Sequence, residues 1–179
     1  ESRTFLRADA VEVLAPSPHR VTPPWAVAGA CGGCDFQHVD EVGQRELLTT
    51  VVREQLARIA KIESDVSVET IGQQLGWRTR MDWAVDEQGR AGLRRHRSHE
   101  VLPNPPCLIA HRDLPSVDGN WTGERVRAVA TSTGQQFIAA AEPFPTDLTS
   151  NCTGVLDERG ARICGSDTAV ELVHGRRFE

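Results

Sequence analysis

The sequence predicts an α+β fold in which one long helix accompanies a mainly antiparallel sheet, with one strand ahead of both. Three observations predict it. Leu47, Leu48, Val51, Val52, Leu56, Ile59 and Ile62 recur at helical spacing and form one apolar stripe. Arg78 to Val85 switches to strict alternation, with Met81, Trp83 and Val85 on one face and Arg78, Arg80 and Asp82 on the other. Turn signals at Glu87-Gln88-Gly89, Thr133-Gly134 and Asp157 to Gly160 then divide the remaining chain into short strand-like runs.

Taken in order, Thr4 to Leu14 reads as a strand with Val11 and Val13 on one face, closed by Ala15-Pro16-Ser17-Pro18. Val21-Thr22-Pro23-Pro24 is a stiff connector, because proline fixes its own backbone and restricts the residue before it. After the turn Cys31-Gly32-Gly33-Cys34, Asp40 offers a helix N-cap, and a helix of about six turns follows. Glu54 and Arg58 are placed to form an i,i+4 pair on its exposed side. The strand over Arg78 to Val85 turns at Gly89 and returns as Ala91 to Val101. Two more hairpins are expected, Arg125 to Ser132 with Gln136 to Ala141, and Gly154 to Leu156 with Ala161 to Ile163. There is no internal repeat and no low-complexity segment.

A chain of 179 residues holds one sizeable domain, or one domain with a piece of another. It begins at Glu1 and stops at Arg176-Arg177-Phe178-Glu179, directly after a strand-like run, so both ends are expected to lie within a longer protein. No apolar run is long enough to span a bilayer, and no charged-then-apolar signal segment opens the chain; a soluble, cytoplasmic monomer without a membrane partner is expected. Five cysteines, an odd number, argue against a disulfide framework and for thiols kept reduced or bound to metal. The net charge of -5 excludes a globally basic nucleic-acid binder, so any such partner must be held locally.

Two groups of residues carry candidate chemistry. Cys31-Gly32-Gly33-Cys34 sets two soft ligands on a turn free to bend around an ion, and Cys107, on a proline-stiffened segment, can fold back against them. The pair can be read as a structural zinc knuckle completed by His38 or other cysteines, part of an iron–sulfur site, a redox pair, or two free thiols; spacing favours metal or cluster binding, with zinc and iron–sulfur level, and the proline-rich connector before the pair counts against the redox reading. The second group is Arg78, Arg80, Arg90, Arg94, Arg95 and Arg97, which share one hairpin with Trp77, Trp83 and His96. Guanidinium groups bind phosphates bidentately and stack on bases, and exposed aromatics hold unpaired bases. The competing reading is a solvated strand face paired with Asp82, Asp86 and Glu87. Arg78, Arg80, Arg94 and Arg97 are the candidate RNA contacts. Cys152 and Cys164 read as small hydrophobes rather than nucleophiles, since no acidic or histidine partner has an informative spacing.

Several of these residues, in this order, carry a resemblance. Val11 to Pro18, then Cys31-Gly32-Gly33-Cys34-Asp35-Phe36-Gln37-His38, Gly76-Trp77-Arg78-Thr79-Arg80, Gly92-Leu93-Arg94, Arg97-Ser98-His99-Glu100-Val101, and Cys107 shortly before His111 resemble the S-adenosylmethionine-dependent RNA 5-methyluridine methyltransferases that carry a TRAM domain and an iron–sulfur cluster. The resemblance runs from about Phe5 to the C-terminus and is weak between Pro115 and Thr149.

The resemblance implies that residues 1–20 are the end of a TRAM β-barrel and its linker, that 21–175 form the central domain, and that 176–179 begin a methyltransferase domain absent from the chain. It implies structured RNA, ribosomal or transfer, as partner and S-adenosylmethionine as cofactor of the parent protein. The parent would be an enzyme, and the chain alone is expected to be inactive. It also implies a 4Fe-4S cluster on Cys31, Cys34 and Cys107, but the family's first ligand position falls on Trp25, and an indole cannot ligate iron. Either another group such as Cys152, Cys164 or a histidine completes the site, or the cluster is lost and Trp25 fills the space. The rival from another class is a zinc-stabilised RNA-binding or interaction module without enzymatic activity, which a cofactor-binding glycine motif beyond Glu179 would exclude.

Overall fold

Asp40 starts the helix that the apolar spacing predicts. The computed structural model describes residues 8, 10–103, 106–145 and 152–178. They divide into two units, those up to Pro24 with Phe36–Glu69, and Trp25–Asp35 with those from Thr70 onward.

In the first unit the Asp40 carboxylate accepts the Gly43 backbone N–H at 2.8 Å, ahead of helix α1 (Glu41–Gln55). This satisfies one of the donors that a helix start leaves open. Gly43 is buried, and a Cβ there would lie 2.6 Å from His19 Cβ. Helix α1 continues into one π-helical turn, Leu56–Ala60, and ends on Lys61 at φ 58. The expected Glu54–Arg58 pair is not made: the wider turn takes position 58 off the i,i+4 row, and Arg58 donates to Gln55 Oε1 at 3.1 Å instead. The i,i+4 pair sits at the opposite end, Arg45 Nη1 to Glu41 Oε1 at 2.8 Å.

The apolar stripe is not buried either. Leu47, Leu48 and Val51 are about half exposed and Ile59 is 72 % exposed. The chain returning along the helix is held by polar bonds, with Arg53 donating to the carbonyls of Asp65 and Val66 and Thr49 accepting the Val68 N–H. At the N-terminus, residues 4–7 and Asp9 of the expected strand lie outside the described residues. Ala10–Val13 make no strand pairing, and Val11 is 98 % exposed. Alternation yields a strand only where a neighbour supplies packing and a ladder, and among the described residues none does.

The second unit holds the sheet. Its strands are β1 (Arg80–Val85), β2 (Ala91–Arg94), β3 (Val101–Pro103), β4 (Thr122–Ala130), β5 (Gln136–Ala141), β6 (Gly154–Leu156) and β7 (Arg162–Gly165), in the spatial order β3-β2-β1-β4-β5-β6-β7. All neighbours are antiparallel except β5 and β6, so the sheet is mixed. The single return expected over Ala91 to Val101 is two strands: the chain reverses at Arg95–Glu100, with Arg97 at φ 51, and β3 folds back on β2. Gly92 permits that closeness, since a Cβ there would run into the Leu102 carbonyl.

Met81 and Trp83 point from β1 into a core with Trp121, Val126, Ile138 and Val155. Val126, Ile138 and Val155 are fully buried, each contributing about 1.5–3 kcal/mol relative to exposure. The buried Trp121 Nε1–H donates to the Val117 carbonyl at 2.7 Å, which satisfies its one polar atom. A separate ribbon, β8 (Glu171–Val173) with β9 (Arg176–Phe178), is tied to the β4–β5 turn where Glu171 accepts the Ser132 N–H at 2.9 Å.

Candidate nucleic-acid interface

Backbone pairing brings the cysteine turn to the arginine loop. The chain coils at Trp25–Cys31, with the Cys31 N–H bonded to the Val27 carbonyl at 2.9 Å. Its far side then extends the end of β2: the His96 N–H donates to the Ala30 carbonyl at 2.8 Å, the Gly32 N–H to the Arg94 carbonyl at 3.4 Å, and Cys31 bridges Arg95. Cys107 arrives by a second route. The N–H groups of Gly76 and Arg78 donate to the carbonyls of Leu108 and Ile109, and the His111 N–H returns to the Arg78 carbonyl. The segment that carries Cys107 is thereby paired alongside Arg78, and both line the groove.

The result is a groove of about 740 Å³ lined by Cys31, Cys34, Cys107 and Trp25. Arg78, Arg94, Arg97 and Arg125 line it as well, with His96 and His99. Three of the four arginines expected at an RNA site therefore share it. Arg80 does not; it is exposed on β1, opposite Val129. Arg90 is occupied by Asp86 at 2.8 Å, and Arg95 by Glu100 at 2.8 Å.

Arg125 and Glu124 are groove residues that the sequence pattern does not single out as contacts. They sit where the β4–β5 register shifts between Thr122 and Val126, and Gly123 there has φ 76. An isolated glycine inside a strand pattern is the sequence mark of such a bulge, and a bulge re-aims the side chains beside it.

Arg94 Nη1 lies 2.6 Å from His99 Nδ1. A guanidinium cannot accept, so His99 Nδ1 accepts and its ring proton resides on Nε2. Asp82 takes Arg127 at 2.8 Å and Arg125 at 3.9 Å, and its hydrogen bond and charge raise the Arg127 pKa. Cys34 is pushed up by burial first, then by Cys107 and Cys31, while Arg78 pulls it down. A thiol held protonated in this way is a poor nucleophile, so the arrangement does not favour a redox pair. Cys152 is likewise raised by burial and by Cys164. Those two cysteines pack against the main core rather than line the groove. His38 lies in the helix-bearing unit, beside His19 in a separate small pocket.

The groove offers three thiols, with the Trp25 indole and the imidazoles of His96 and His99 but no fourth thiol among its lining residues. A 4Fe-4S cluster draws on four thiolates, so these residues do not fit one. Among the described residues, no group of three or more His, Cys, Asp or Glu side chains is arranged to hold a metal ion. No described helix is long and apolar enough to cross a membrane.

The chain is similar to curated proteins of several bacteria. The chain is 38 % identical over 99 % of its length to a protein of Streptomyces avermitilis named an uncharacterized RNA methyltransferase, covering 45 % of that protein. It is 39 % identical over 99 % of its length to one of Streptomyces coelicolor with the same description, covering 43 % of it. A third, from Caldanaerobacter subterraneus, is 36 % identical over 68 % of the chain, covering 28 % of that protein. The chain thus spans less than half the length of these curated relatives. No protein-family model matches it.

Proposed function

We propose that this chain is the RNA-positioning part of an S-adenosylmethionine-dependent RNA methyltransferase of the uracil-C5 type. The observation that carries the reading is the convergence of Arg78, Arg94, Arg97 and Arg125 on one groove in a chain whose net charge is negative. Local concentration of guanidinium against an acidic background is what a phosphate-binding surface requires when the whole protein is not basic. The relatives named RNA methyltransferases support RNA as the partner. Structured RNA suits a groove that also offers His96 and His99 for contact with bases or sugars.

In this reading the groove grips the RNA backbone while a uridine is turned out of its stack, because C5 and C6 are shielded inside it. Methyl transfer belongs to sequence in the part of the relatives that this chain does not span, as does the S-adenosylmethionine site. The chain alone is expected to bind RNA without turnover.

The test is the double replacement Arg78→Ala with Arg94→Ala in the whole chain, alongside Arg80→Ala, which lies away from the groove. The double variant should weaken binding to structured RNA and flatten its salt dependence, by a slope of about 0.7–0.9 for each phosphate no longer neutralised. Arg80→Ala should bind nearly as the unaltered protein does. Equal effects of the two, or none from the folded double variant, would sink the groove assignment, and turnover of the chain alone with S-adenosylmethionine would sink the division of labour.

A further inference from the structure

We propose that Trp25 stands in for a metal ligand, so that Cys31, Cys34 and Cys107 form a metal-free packing site rather than the seat of an iron–sulfur cluster. The three thiols reach one groove by two separate backbone routes, Cys31 and Cys34 through the end of β2 and Cys107 through Arg78. Trp25 lines the same groove, and it is only 6 % exposed. An indole offers one N–H donor and no lone pair for a metal. At the position where the resemblance sets a fourth thiolate, the groove thus carries a buried indole.

Among the described residues no fourth thiol lines the groove, and His96, which does line it, forms with the thiols no group arranged to hold a metal ion. Cys152, just before β6, and Cys164, in β7, lie close to one another and outside the groove lining. His99 has its Nδ1 engaged by Arg94. Two of the thiols behave as apolar groups do: Cys31 is buried at 7 % exposure, and Cys107 packs against the main hydrophobic cluster. A buried free cysteine of this kind acts as a small hydrophobe. The inference is independent of what the groove binds, since it concerns only what holds the cysteine turn in place.

The experiment is metal and sulfide analysis of the whole chain purified without oxygen, with its visible spectrum and its thermal midpoint with and without a strong chelator. The expected protein is colourless, lacks iron, sulfide and zinc in stoichiometric amounts, and melts at the same temperature in chelator. Trp25→Cys, incubated with ferrous iron and sulfide under the same conditions, should gain both together with thiolate-to-iron absorption, whereas Trp25→Phe should gain neither. Stoichiometric iron and sulfide, or stoichiometric zinc, in the unaltered chain would overturn the proposal. So would a folded Trp25→Cys protein that takes up no more iron than the unaltered one. If Trp25→Cys fails to fold, the metal content and chelator response of the unaltered chain decide the matter alone.

Discussion

Gly32 lies flush against the backbone of His96: a Cβ at Gly32 would come 3.1 Å from His96 Cα and 3.5 Å from its Nδ1. This close approach seats the cysteine turn on the loop that carries Arg94 and Arg97, so the thiols and the cations are built on one another. A methyl group at Gly32 requires the loop to give by a few tenths of an ångström, and a branched side chain requires more. Gly32→Val should destabilise the protein by about 1–3 kcal/mol through overpacking and weaken RNA binding by displacing the loop. Gly33→Ala is the internal control, because a Cβ there meets only Cys31 Sγ, at an ordinary 3.5 Å. Urea unfolding and RNA titration of both variants check this; equal losses would mean that the close approach at Gly32 is not what matters.

Asp82 lines the same groove. Its carboxylate accepts from Arg127 Nε at 2.8 Å and Nη2 at 3.3 Å, and holds Arg125 at 3.9 Å. All three side chains are about half exposed, so the pairing contributes at most about 1 kcal/mol to stability. Its larger effect is on charge, since an anion beside Arg125 competes with phosphate for that cation. Asp82→Asn should leave stability within about 1 kcal/mol, tighten RNA binding and steepen its salt dependence. Weaker binding by a folded Asp82→Asn protein would show that Asp82 holds Arg125 in place instead of competing for it.

Where the sequence is periodic and its partner lies nearby in the chain, the fold is legible. Met81 and Trp83 alternate into the core as their spacing predicts, the turns at Gly89, Gly134 and Gly160 fall where glycine and polar residues mark them, and Asp40 caps its helix. What is not legible depends on distant partners. Val11 and Val13 alternate, yet no described strand pairs with them. The π turn at Leu56–Ala60 that cancels the Glu54–Arg58 pair has no signal in a stripe of evenly spaced apolar residues. Reversal at Arg97 splits a single expected strand into two, because a positive φ at a non-glycine residue leaves no compositional trace. At the groove, Arg78, Arg94 and Arg97 are readable as a cluster, while Arg125 comes from a strand whose bulge only Gly123 announces.

Asp40 gives the helix-bearing unit a pH dependence of definite sign. The Gly43 N–H holds its carboxyl below the ordinary value of 3.8, burial works against this, and the bond from His19 at 3.1 Å adds to the lowering. A carboxylate whose pKa is lower folded than unfolded contributes stability that is fully present above the unfolded value and is lost as pH falls through the folded one. Helical circular dichroism and its melting temperature should therefore hold steady down to about pH 4 and fall below it. Asp40→Asn keeps a capping oxygen without a titrating charge, so its melting temperature should change less across that acid range. Asp40→Ala, which loses the cap altogether, should melt lower than the unaltered chain at neutral pH. An acid transition of unchanged size in Asp40→Asn would assign the effect to other carboxylates, with Glu41 and Glu46 on the same helix the next to replace.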